Sequence, residues 1–78
     1  MPTVLRHEGL RFVIYPNDHV PAHVHVIGPG WTMVVDLHGP RLREAIGCSE
    51  QEARRVLRVV AAHRTALLGK WRQWHGEA

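Results

Sequence analysis

Ser49-Glu50-Gln51-Glu52 divides this chain into two stretches that follow different periods. A serine followed three residues later by glutamate is the capping-box pattern: the hydroxyl accepts from the glutamate amide, and the carboxylate reaches back to the serine amide. A helix therefore starts at Ser49. Beyond it, Ala53, Val56, Leu57, Val60, His63, Leu67, Trp71 and Trp74 fall on one broad stripe at 100° per residue. The spacing predicts one long helix over about residues 49–75. Arg64 is the discord, since it projects between Leu57 and Trp71 on the apolar stripe. Either the helix is interrupted near His63, or Arg64 reaches a buried carboxylate or the edge of the core.

Before residue 47 the period is two. Thr3 to His7 is a short extended run closed by Glu8-Gly9, a hairpin turn, and Leu10 to Tyr15 is rich in aromatic and β-branched residues. Pro16 to Ala22 carries two prolines and Asn-Asp, which marks a loop. His23 to Ile27 reads as a strand, Gly28-Pro29-Gly30 as a turn, and Trp31 to Leu37 as another strand. Arg41 to Ile46 fits a fifth strand better than a helical turn. The expected architecture is α+β: a meander of four or five antiparallel strands, then one long C-terminal helix packed across the sheet.

Residues 1–78 leave room for a single small domain, strand-rich over 1–47, and none for a nucleotide-binding fold beside a substrate domain. No apolar run approaches the ~18 residues of a membrane span, and Met1 to Arg6 lacks the pattern of a secretory leader. One cysteine, Cys48, excludes an internal disulfide and a thiolate zinc cluster. A cytoplasmic protein is expected.

Charge is unevenly spread. Residues 1–40 hold two arginines against three acids, and residues 41–78 hold eight basic residues against four acids. A basic second half suits nucleic acid or an acidic protein surface. Arg54, Arg55, Arg58 and Arg72, on the helix face away from the stripe, are the candidate phosphate contacts. Trp31, Trp71 and Trp74 could stack on bases, but Trp71 belongs to the stripe, which leaves Trp74 for an exposed partner contact. Cys48 reads as a small half-buried hydrophobe.

The chemistry, if any, lies in Asp18-His19-Val20-Pro21-Ala22-His23-Val24-His25, part of a chain with seven histidines. Alternation turns Val24 and Val26 to the core, and His23 and His25 to the other face, roughly 6.5–7 Å apart at Cα. His19 and Asp18 can fold back over them. Three readings stay open. His-x-His with a third ligand from His19, Asp18 or His63 would hold zinc or another divalent ion, with His23, His25 and His19 as the favoured set. Two imidazoles, which titrate near physiological pH, could share the proton transfers of RNA cleavage beside a cation that stabilises the phosphoryl charge. Or the histidines and Asp18 simply hydrogen-bond the loop backbone and fix its shape. His63, on the stripe, is more readily a core histidine than a ligand.

Pro2-Thr3-Val4, Gly9-Leu10-Arg11-Phe12, Tyr15 and the Asp18 to His25 string resemble the signature of a family of very short bacterial proteins, domain of unknown function 4160. Arg54, Val59, His63, Leu67-Leu68 and Trp71 match its helix spacing. Ala22 departs from the family's usual second proline, and Arg6 from a frequent serine. The resemblance carries Asp18, His19, Pro21, His23 and His25 over as motif positions, with His63 in the helix. It implies a bacterial toxin–antitoxin-like module whose cognate small partner protein is encoded nearby.

The resulting expectation is a small basic component of such a module that acts on or binds RNA or DNA, as a His-dependent ribonuclease or a metal-dependent nuclease. Its catalytic set would be His19, His23, His25 and Asp18. The alternative is a nucleic-acid-binding regulator or protein-interaction module without catalysis. A sheet covered by one helix leaves one face and an edge bare, so self-association is also expected.

Overall fold

The computed structural model describes residues 3–76. Pro2, part of the family-like string, lies outside the described residues. Five strands form one antiparallel sheet in sequence order: β1 (Thr3–His7), β2 (Leu10–Val13), β3 (His23–Gly28), β4 (Trp31–Asp36) and β5 (Arg41–Ile46). Two helices follow, α1 (Glu50–Ala62) and α2 (Arg64–His75). The class is α+β, as the change of period at Ser49 requires.

Each turn is built by the residues that mark it. Glu8 and Gly9 both have positive φ, 49° and 81°, the requirement of a two-residue hairpin whose twist matches its strands. Register then follows the pleat. Val24 faces Val35 and Val26 faces Met33 across β3 and β4, and Phe12 pairs with Val26 across β2 and β3. These side chains are all buried, together with Leu10, Trp31 and Leu37. Along β4 the alternate residues Thr32, Val34 and Asp36 are exposed or half-buried. β5 is a strand, and it is exposed along most of its length.

The capping box forms as expected. Ser49 Oγ accepts from the Glu52 amide at 3.1 Å, and Glu52 Oε1 accepts from the Ser49 amide at 2.8 Å. The expected single helix is corrected to two. His63 leaves helical geometry (φ −108°, ψ 13°), and α2 starts at the next residue. Arg64 supplies the physical reason, as the discord in the stripe suggested. Its Nε donates to the Leu37 carbonyl at 2.7 Å, a bond to the chain just past β4. The buried face nevertheless keeps the predicted stripe across the break, with Leu68 added beside it. Val56 and Val60 bury from α1, and Leu67, Leu68 and Trp71 from α2. Trp74 remains 46% exposed.

The meander sends its connections to alternate ends. The β2–β3 loop and the β4–β5 turn share one end, and the two hairpin turns, β1–β2 and β3–β4, share the other. α2 delivers Trp71 and His75 to the β2–β3 loop end, where Trp71 packs on His23 and His75 meets the Tyr15 carbonyl. No helix is long and apolar enough to cross a membrane, among the described residues.

Candidate site at the β2–β3 loop

Asp18 is placed by a turn. The Asp18 amide donates to the Tyr15 carbonyl at 3.1 Å, closing Tyr15-Pro16-Asn17-Asp18 with proline at its second position. The Tyr15 amide in return donates to Asp18 Oδ2 at 3.0 Å. The carboxylate is thereby turned back over the start of β3. His23 and His25 leave β3 on the same side, two residues apart.

Three groups converge. His25 Nε2 lies 3.3 Å from both carboxylate oxygens of Asp18, and His23 Nε2 lies 3.6 Å from Asp18 Oδ1. The ligand atoms of Asp18, His23 and His25 all fall within 4.8 Å of one another. Burial differs among them: the side chains are 14%, 7% and 28% exposed, respectively. His25 is thus the imidazole most open to solvent.

Each group is also held from behind. The second ring nitrogen of His23, Nδ1, lies 2.9 Å from the Pro21 carbonyl. A carbonyl can only accept, so Nδ1 carries the proton, and Nε2 of the neutral ring has its lone pair toward Asp18. Trp71 packs on the His23 ring with centroids 5.2 Å apart, and Tyr15 packs edge-on to His25 at 4.8 Å. His75 stacks on Trp71 at 4.1 Å and reaches the Tyr15 carbonyl with Nε2 at 3.0 Å. Arg43, from β5, pairs with Asp36 and extends to the Pro21 carbonyl at 3.5 Å.

The sequence expectations sort accordingly. Asp18, His23 and His25 come together. His19 is exposed and stands outside the group, because the turn aims its neighbour Asp18 inward. His63 sits at the helix junction, ring to ring with His7 at 5.4 Å, and is not part of the group. His23 departs from its expected surroundings. Alternation placed it on an open face, but α2 covers it with Trp71, so it is buried.

Tyr15, Arg43, Trp71 and His75 were not singled out by the sequence as neighbours of this site. The i, i+4 spacing of Trp71 and His75 was the one local sign that they share a helix face.

The expected arginine face is divided between two helices. Arg54 pairs with Glu50 at 3.7 Å, and Arg55 reaches the Glu8 side chain at 3.3 Å and its carbonyl at 3.4 Å. Arg58 and Arg72 are exposed and, among the described residues, carry no ion pair.

The family described as domain of unknown function (DUF4160) matches residues 9–72, and the chain belongs to it. No curated protein and no solved structure matches.

Proposed function

We propose that this DUF4160 protein is the small basic component of a bacterial toxin–antitoxin-like module and acts on RNA as a histidine-dependent ribonuclease in the cytoplasm. The observation that carries the reading is the convergence of Asp18, His23 and His25 on one another, Asp18 and His23 held by backbone hydrogen bonds and His25 by ring packing on Tyr15. Cleaving an RNA phosphodiester needs a base for the attacking hydroxyl and positive charge near the phosphoryl oxygens. His25 is the most open member of the group, and Asp18 beside it orients the ring. Arg58 and Arg72, exposed and without an ion pair among the described residues, can hold phosphates, and Arg54, exposed on the same helix as Arg58, can join them by leaving its 3.7 Å pair with Glu50. Arg55, engaged by Glu8, is the least available of the four.

Expression of the chain in a bacterial host tests this, with growth and RNA integrity followed for the wild type, His25→Ala and Asp18→Asn. The wild type should arrest growth and fragment RNA, and both variants should lose these effects while melting like folded proteins. Full activity in both variants overturns the assignment.

A second reading, a nucleic-acid-binding regulator without catalysis, is favoured by Arg58 and Arg72, which are exposed and carry no ion pair among the described residues. It predicts salt-sensitive RNA binding with the RNA left intact. Either reading includes a cognate small partner protein and self-association. Trp74 at 46% exposure and Ile46 at 60% supply apolar surface for these contacts.

A further inference from the structure

We propose that Asp18, His23 and His25 hold a divalent first-row transition-metal ion, which deepens the reading above by naming a cofactor of the same site. With its Nδ1–H given to the Pro21 carbonyl at 2.9 Å, the neutral His23 ring presents an Nε2 lone pair to the Asp18 carboxylate at 3.6 Å. Two acceptors facing each other at low exposure repel. Something positive belongs between them, either a proton or a metal ion.

The distances also fit an ion. A hydrogen-bonded imidazole and carboxylate would close to about 2.7–2.9 Å. Donors about 2.1 Å from a tetrahedral ion stand about 3.4 Å from one another. The observed separations from Asp18, 3.3 Å to His25 and 3.6 Å to His23, straddle that value. The three donors also come with the outer contacts that metal ligands need. His23 donates its other nitrogen to a backbone carbonyl, and Asp18 accepts the Tyr15 amide on Oδ2. Two imidazoles and one carboxylate form a mixed nitrogen and oxygen set, suited to zinc or ferrous iron, with coordination positions left for water or substrate. An ion in such a set acts as a Lewis acid and lowers the pKa of a bound water.

The set differs from the one expected from spacing. Asp18 takes the third place, and His19 lies outside.

Zn²⁺ titrated calorimetrically into the full chain at neutral pH tests the proposal. One ion should bind saturably per chain, Asp18→Asn and His25→Ala should each weaken binding at least about 10-fold, and His19→Ala should leave it unchanged. Because a ligand variant can fail to fold, the wild type gives an independent reading by ¹⁵N NMR. The Nε2 resonances of His23 and His25 should move with added Zn²⁺, and those of His19 should not. Absence of saturable binding, or binding lost equally in His19→Ala, overturns the proposal and leaves the proton as the charge between His23 and Asp18. The two readings fail separately. RNA cleavage that persists in excess chelator removes the metal alone, whereas tight zinc binding with RNA left intact removes the ribonuclease alone.

Discussion

His23 and His25 look equivalent in sequence, but the fold gives them different mechanical roles, which truncation should separate. His23→Ala removes a side chain only 7% exposed, its 2.9 Å bond to the Pro21 carbonyl and its packing against Trp71. The net hydrogen bond contributes about 1 kcal/mol. The aromatic contact adds about 0.5–1.5 kcal/mol. A sum near ~2 kcal/mol corresponds to a fall in Tm of roughly 8–16 °C for a domain of this size. His25→Ala removes a side chain 28% exposed whose Asp18 contact is long at 3.3 Å, so it should cost under ~1 kcal/mol. Thermal unfolding followed by circular dichroism measures both. A third variant divides the His23 term. His23→Asn keeps an N–H donor near the Nδ1 position and removes Nε2, so it should recover about 1 kcal/mol relative to His23→Ala. The reasoning is refuted if His23→Ala melts within a few degrees of the wild type, or above His25→Ala. The comparison also bears on function, since lost activity is diagnostic only in a variant that remains folded at the assay temperature. His25→Ala meets that condition better than His23→Ala.

Other consequences are independent of the site. A methyl group at Gly28 would overlap the Trp31 indole, so Gly28→Ala should destabilise by about 1–3 kcal/mol through overpacking, read as a lower urea midpoint with the slope preserved. Ser49→Ala should cost about 1 kcal/mol by uncapping α1, and an unchanged melting temperature would contradict the role of the box. The Ser49 backbone N–H, with Arg55 adding its charge, holds the Glu52 carboxyl below its ordinary value of 4.5. That contribution is therefore full above about pH 4.5 and lost as pH falls through the lowered value. The Tm difference between the wild type and Glu52→Gln should accordingly shrink between pH 6 and pH 3, and a constant difference would refute it. Arg64→Leu leaves the Leu37 carbonyl without its 2.7 Å donor, at a cost of about 1–2 kcal/mol. Amides of α2 should then exchange faster than those of α1.

The parts of the fold that were legible in sequence are those fixed by local chemistry. Glu8-Gly9 could supply two positive φ values, Trp31 to Asp36 alternates faithfully, and Ser49 with Glu52 closes the box as its spacing requires. The division of the helix was half legible. Arg64 on an apolar stripe announced a conflict, but the stripe alone could not choose between a break and a long side chain reaching out. The structure uses both: the backbone breaks at His63, and the Arg64 guanidinium anchors the chain to Leu37. Covering of His23 was not legible, because it depends on where α2 travels after that break.

The site was legible as a region and not as a ligand set, and the reason lies in the phase of the loop. Within β3 the pleat decides that His23 and His25 share a side, so alternation is enough. Outside the strand no period relates one residue to the next, and Asp18 and His19 are equally near the pair in sequence. What separates them is the turn at Tyr15-Pro16-Asn17-Asp18, in which the Tyr15 amide takes the carboxylate and aims it inward. Proline at the second position and aspartate at the fourth carried that signal. Aspartate can accept the amide and still face both imidazoles, because its two oxygens divide the work. In that conformation His19 is left exposed to solvent. The same turn makes Asp18 the joint between the loop backbone and the two imidazoles. Asp18→Asn should therefore preserve the loop, whose Oδ acceptor survives, while removing the charge that the two imidazoles share.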